Sequence, residues 1–298
     1  MELNLSFEQL RDLFSHLGNP AAKAVLPVIL FAVLVEIVLI RLRGGTYPWR
    51  DTAVSAGVAV GHALTQAAAN GLIVGIFAAA VYHYRLFTID VGLDHWGLDH
   101  WPALIALFLL ADFAFYWEHR CAHQIRLMWA SHSVHHSVER MVLTAAARLA
   151  WTPVISGVFL FYLPLIWLGF SPLAVFAMAS ASLTYQIFVH TELVPHIGWL
   201  ERVINTPSAH RVHHASNAEY LDRNYGGVLL VWDHLFGTYR AERKEIDIRF
   251  GLVHARSRPG NPVVIAYEEL GNIIRDVARA TTWRERWGRV FGRPGWTP

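Results

Sequence analysis

Four apolar runs, 21–42, 53–84, 102–117 and 151–189, dominate this chain, and all but the third are too long and too apolar for the elements of a water-soluble fold. A helix needs about 20 apolar residues to cross a hydrocarbon core of about 30 Å. The first stretch meets that length, with Pro27 as a kink site and Glu36 as a costly carboxylate that should face other helices. The second is rich in Ala and Gly, small residues that let helices pack closely in lipid. The fourth is too long for one span. Pro164 and the run Gly169, Phe170, Ser171, Pro172 break it, which predicts a re-entrant hairpin over 151–189. Only 16% of residues are charged, against about 25% in a typical soluble domain. The expected class is all-α, an integral membrane helical bundle.

Loop charge sets the orientation. Arg41, Arg43 and Arg50 follow the first run; Arg120, Arg126, Arg140 and Arg148 lie between the third and fourth. Asp90, Asp94 and Asp99 lie between the second and third. The positive-inside rule then gives a multi-pass protein with the region after the third run on the cytoplasmic side. Three regions are expected: membrane helices over 1–110, a region over 111–242 that holds the hairpin, and a basic tail over 243–298. Within that tail, 273–296 carries six arginines among Trp283, Trp287 and Phe291 and reads as a helix on an anionic membrane surface. The first residues lack the pattern of a signal peptide and read as a short amphipathic helix. The one cysteine, Cys121, allows no internal disulfide, and a net charge of +2 argues against a nucleic-acid partner.

Seventeen histidines are the second unusual feature. His119 and His123 form HxxxH at the end of the third run; His132, His135 and His136 form HxxHH; His210, His213 and His214 repeat it. On a helix, i, i+3 and i+4 share a face, so each cluster can aim its imidazoles at one place. His190 ends the hairpin, and His196 is a further candidate, as ligand or as support for one. Eight or nine neutral imidazoles suffice for two ions of iron, zinc or copper. No thiolates accompany them, unlike a structural Cys/His zinc site. These clusters would form the di-metal site of a cytoplasmic helical cap. His62, His83, His95 and His254 are expected in the core, His16 and His100 at the surface, and His234 in a structural role. Asp112, two helical turns before His119, and Glu192, beside His190, are positioned to accept the free N–H of a ligand imidazole. Asn205, Tyr116, Asp222, Asn224 and Asp233 are weaker candidates for such supporting roles.

The segments DFAFYWEHRCAH, WASHSVHHS, NTPSAHRVHH and DRNYGGVLLVWDHLFGTY together resemble the fatty acid hydroxylase and sterol desaturase superfamily over about residues 112–240. The run HTE…GWLERVINTPSAHRVHH is most similar to its alkylglycerol monooxygenase branch and bacterial relatives. The resemblance implies a non-haem di-iron centre, with zinc able to substitute, and molecular oxygen as co-substrate. It carries the ligand role to His119, His123, His132, His135, His136, His210, His213 and His214, with His190 at the family's additional position. Three residues depart from the pattern: Gln124 where the ether-lipid branch has glutamate, Glu118 where an aromatic is commoner, and His234 in place of a basic residue.

The expected activity is hydroxylation of a lipid C–H bond, the substrate entering from the bilayer past Trp151, Phe159, Phe161, Tyr162 and Trp167. No haem, flavin or cytochrome motif is visible, so electrons would come from an external donor: a ferredoxin, a cytochrome, or a reduced pterin such as tetrahydrobiopterin. A desaturase on the same centre is the nearest alternative. A metal transporter is remote, because it would set its ionisable ligands near mid-membrane rather than at membrane ends.

Overall fold

The computed structural model describes residues 20–92, 100–254, 256–258 and 260–298. His16, His95 and the N-terminal amphipathic segment lie outside them. The chain divides into two compact units, Met1–Tyr47 and Pro48–Pro298. In the first, α1 (Pro20–Leu42) runs unbroken through Pro27. Leu26, Leu30, Phe31 and Leu34 are exposed along it, as a lipid-facing surface requires, whereas Glu36 is buried.

In the second unit, the run expected over 53–84 is two helices, α2 (Trp49–Thr65) and α3 (Gly71–His83), joined by a π turn over Gln66–Asn70. They meet at 48°. Inside the bend, the Asn70 side chain donates to the Trp151 carbonyl at 3.3 Å. One turn before the bend, Gly61 sits against the Trp151 ring, leaving no room for a Cβ.

α4 (Trp101–Gln124) is longer than the run that announced it and carries the first histidine pair. Extended Ile125 ends it, and α5 (Arg126–His132) starts at once. The predicted hairpin is less regular than expected. Its first arm breaks into α6 (Pro153–Ser156), a 3-10 turn over Val158–Tyr162, and α7 (Leu163–Leu168). Gly169, at φ 137°, makes the turn. Ser171 then caps α8 (Pro172–Val189), accepting from the Ala174 amide at 3.2 Å. The turn is pinned from outside: Leu86 N–H donates to the Trp167 carbonyl at 2.8 Å and Ile89 N–H to that of Gly169 at 3.1 Å. An apolar core with Leu107, Ala111, Leu165, Ile166, Phe170 and Val175 lies where α4, α7 and α8 meet.

Among the described residues three helices are long and apolar enough to cross a membrane, Val25–Leu42, Trp101–Gln124 and Pro172–Val189, or four if the bent α2–α3 pair is one span. They contain no strand, only three isolated bridges.

Beyond α8 the helices are short: α9 (Pro207–His214), capped by Thr206 on the Ala209 amide, and α10 (Val231–Leu235). The basic C-terminal segment forms two helices, α11 (Pro262–Arg279) and α12 (Trp283–Phe291), rather than one. They fold back on α5. The Arg126 guanidinium pairs with Glu269 at 2.8 Å and Asp276 at 2.7 Å, and the Arg126 amide donates to the Gly292 carbonyl at 2.9 Å.

Candidate metal centre

Four separate stretches deliver imidazoles to one buried place. The end of α4 brings His119 and His123, α5 brings His132, and the 3-10 turn His135–Ser137 brings His135 and His136. His190 closes α8, and α9 supplies His210, His213 and His214. The nine sort into two groups whose ligand atoms lie within 4.8 Å of one another: His119, His123, His132, His136 and His213; and His135, His190, His210 and His214. The groups adjoin, the rings of His136 and His214 stacking at 4.4 Å.

This sorting cuts across the sequence motifs. In each HxxHH the i, i+4 pair stays together (His132 with His136, His210 with His214), and the residue between goes to the other group. A single motif thus feeds both groups.

In the four-membered group the Nε2 atoms form a closed ring: His135–His190 3.1 Å, His190–His210 3.0 Å, His210–His214 3.1 Å and His214–His135 3.1 Å. The centre of a square of that side is about 2.2 Å from each corner, close to a metal–imidazole bond of about 2.0–2.1 Å. A tetrahedral set at that bond length would need edges of about 3.4 Å. In the five-membered group, His119–His132, His132–His136 and His136–His213 repeat the spacing at 3.0, 3.1 and 3.0 Å. The buried His123 Nε2 finds no protein partner.

Protonation makes the need for a cation explicit. The Nδ1–H groups of His119, His190 and His213 donate to the carbonyls of Tyr225 (2.8 Å), Gln186 (2.6 Å) and Arg223 (3.0 Å). Those rings therefore present bare Nε2 lone pairs. Burial holds His132, His135, His136, His210, His213 and His214 well below the ordinary imidazole pKa, with neighbouring imidazoles adding to it. Burial likewise lowers His190 to about 4. The bare lone pairs of His119, His190 and His213, each 3.0–3.1 Å from a neighbouring Nε2, suit a cation. The donor set, its spacing and its protonation fit two ions, and borderline nitrogen donors suit iron or zinc.

Asp112, Glu192 and Asn205, expected to support the ligands, bond backbone groups and other side chains rather than an imidazole. Asp112 meets no imidazole. It accepts from the amides of Val228 (2.9 Å) and Leu229 (3.1 Å) and from the Trp232 indole (2.9 Å). It thereby anchors the loop whose Tyr225 carbonyl takes the His119 proton. Glu192 accepts from the Met141 amide at 2.9 Å and from Arg140 at 3.1 Å. Asn205 donates to the Gly226 carbonyl at 2.9 Å, and its own carbonyl accepts from the Tyr185 hydroxyl. Asp233 accepts from the amides of Tyr225 (2.8 Å) and Gly226 (2.7 Å), and burial raises its pKa. Asn224, at φ 54°, joins the Ala209 and Arg240 carbonyls, and Tyr116 meets Thr238 at 3.0 Å. Of the weaker candidates Asp222 alone reaches a histidine of the site, 3.5 Å from His123 Nδ1. The hydrogen bond from His123 lowers its pKa.

His196 lies in neither group; it is half-exposed and paired with Glu201 at 3.1 Å. His83 and His254, expected in the core, are exposed. His62 is tied to the Ala150 carbonyl at 2.7 Å, His100 lies 3.9 Å from Asp90, and His234 stacks on Tyr239 at 4.1 Å. Sequence reasoning missed Arg148, which is fully buried and bonds the Ser137 carbonyl at 2.7 Å and Asp51, tying the second histidine cluster to α2. It also missed the carbonyls of Tyr225, Gln186 and Arg223.

Membrane-length helices, two of whose ends join short helices in gathering nine imidazoles in two adjoining groups, define the class: an integral membrane protein with a polyhistidine site able to hold metal. The chain matches the fatty acid hydroxylase family over residues 104–238, which contain all nine histidines. It is 32% identical over 287 residues to the alkylglycerol monooxygenase of Homo sapiens, covering 93% of this chain and 60% of that protein. Against the alkylglycerol monooxygenase of Danio rerio it is 45% identical over 148 residues, 49% of this chain and 32% of that protein. The ornithine lipid hydroxylase of Rhizobium tropici is 32% identical over 150 residues, 49% of this chain and 45% of that protein. The chain thus spans at most about 60% of the length of these relatives. No solved structure matches it.

Proposed function

We propose that this chain is a membrane-embedded lipid hydroxylase in which nine histidines hold two iron ions. The observation that carries the reading is the pair of Nε2 clusters, spaced for metal bonds and filled by neutral imidazoles. The relatives are named for oxygenation of lipids, and one is a hydroxylase of a bacterial lipid. Iron bound here supplies the activation of molecular oxygen and the removal of hydrogen from an unactivated C–H bond.

The protein's own part is positional. Two ions bound here would be held by four imidazoles in one group and five in the other. Carbonyls of Tyr225, Gln186 and Arg223 fix three imidazole tautomers, and Asp222 fixes that of His123. Burial keeps bulk water from the ions. The adjoining apolar core and the broken helices of 153–168 give a lipid chain a dry approach from the bilayer. Reducing equivalents come from outside the chain, from a donor protein or a reduced pterin. The site faces the cytoplasm, following the distribution of arginines.

The test is comparative lipidomics of cells with and without the protein, alongside metal analysis of the purified chain. The expected result is one lipid class gaining one oxygen and iron near two atoms per chain, zinc counting as a substitute. Loss of two hydrogens would instead assign a desaturase, the activity named for a relative in Gibberella zeae that is 28% identical over 174 residues. Metal movement across vesicles without lipid oxidation would refute both.

A further inference from the structure

α12 is a small helix with an unusual surface. Trp283, Trp287 and Phe291 follow one another at i, i+4 and i+8, so they form one stripe. All three are exposed, Trp283 at 82% and Trp287 at 67%. Arg284 and Arg286 flank the stripe, about 60° and 100° around the helix from Trp287 at 100° per residue. The Arg286 guanidinium lies 5.2 Å from the Trp283 ring centroid. The helix is closed beside Arg284, where Trp296 packs on Gly288 about 100° from Trp287, and the Trp296 carbonyl accepts from Arg289 at 3.2 Å.

Charge is sorted across the α11–α12 pair. Its four acids are all engaged. Glu268 lies 3.8 Å from Arg256, Glu269 and Asp276 pair with Arg126, and Glu285 caps α12 through the Thr281 and Thr282 segment. Six arginines stand against those four acids over 262–296, so the free face of α12 is positive and aromatic.

Its level in the fold is fixed by a backbone bond. The Arg126 amide, two residues after the apolar helix Trp101–Gln124 ends, donates to the Gly292 carbonyl at the end of α12. The stripe therefore lies beside the point where α4 leaves the hydrocarbon, the depth at which tryptophan and arginine are most stable.

We propose that the Trp283–Trp287–Phe291 face of α12 docks into the headgroup region of an anionic bilayer, with Arg284 and Arg286 pairing lipid phosphates. The docked helix holds α5, and with it His132, through Arg126. This inference needs α4 to be a span, but not any particular reaction at the histidines. An acidic protein is the competing occupant, and the bare face in an anionic bilayer is where the two part.

The experiment uses the full chain in nanodiscs, in a Cys121→Ser background, with a nitroxide on Trp287→Cys and a reference nitroxide on Lys244→Cys, an exposed loop residue. Discs hold phosphatidylcholine alone or with one third phosphatidylglycerol. Collisional relaxation by oxygen and by a water-soluble nickel chelate reads depth. The expected result is a label at 287 at least several-fold less accessible to nickel than that at 244, with more protection in anionic discs. Adding Arg284→Glu and Arg286→Glu removes the anionic increment while metal content per chain is retained, so loss of fold is not the cause. Equal nickel accessibility at 287 and 244 in anionic discs overturns docking and leaves the face to a protein. Equal protection with and without phosphatidylglycerol overturns the anionic assignment.

Discussion

Replacing His210 by alanine tests the two-cluster arrangement most directly. His210 Nε2 is a corner of the four-membered ring, 3.0 Å from His190 and 3.1 Å from His214. Its loss leaves three donors for that ion and all five for the other. Structural zinc in four-ligand peptides binds with about 10–16 kcal/mol, or roughly 3 kcal/mol per ligand. Losing one corner should therefore weaken one site about 100-fold. The assay is chelator competition on purified protein, followed by elemental analysis and size-exclusion profile. His210→Ala is expected to fall from near two metals per chain to near one at a chelator level that leaves the original protein full. His123→Ala should spare the four-membered group and lose the other ion. His196→Ala, half-exposed and paired with Glu201, should change neither. The reasoning fails if folded His210→Ala keeps both ions with an unchanged chelator midpoint, or if His196→Ala empties a site.

Three further perturbations probe the supports. Asp222→Asn removes the carboxylate beside His123 Nδ1 and should weaken metal binding about 10-fold, at the lower end of such outer-shell effects; chelator midpoints check it. Asp112→Ala strands three donors, the amides of Val228 and Leu229 and the Trp232 indole. It should cost about 3 kcal/mol or more, read as a lower thermal midpoint in detergent; an unchanged midpoint would remove Asp112 as the anchor of that loop. The metal-free protein should lose stability on acidification. The folded imidazoles sit below their unfolded pKa, His190 at about 4, so between about pH 6.5 and 4 the unfolded chain binds more protons and stability rises with pH. Each such histidine adds up to about 1.4 kcal/mol per pH unit across that window, which denaturant titrations at several pH values would measure.

What the sequence announced was whatever a side chain marks. Apolar length found α1, α4 and α8, and histidine spacing found eight of the nine members of the two groups, His190 being marked by its place at the end of the hairpin. The partition of those nine was not legible. On a helix i+3 and i+4 share a face, so spacing alone cannot send His213 to one group and His210 with His214 to the other. Nor could spacing separate His190 from His196. The difference is that α8 ends at His190, whose ring still reaches back to the Gln186 carbonyl, whereas the chain has moved on by His196, where Glu201 takes the imidazole. Asp112 shows the same limit from the other side. Its spacing from His119 suggests an imidazole partner, but the waiting donors are backbone amides brought in from more than a hundred residues away.

The tautomers of His119, His190 and His213 are set by backbone carbonyls, which leave no trace in residue identity. What the sequence can show is the set of residues that forces those carbonyls into place. Asp112, Asn205 and Asp233 all bond within 225–229, and Asn224 adopts a left-handed φ of 54° just before it. The run DRNYGGVLLVWDHLFGT is therefore a scaffold for one carbonyl above all, that of Tyr225 against His119. Within the motif Asp233 satisfies the Tyr225 and Gly226 amides and Asn224 that of Arg240, and the loop they order, rather than either side chain, orients His119.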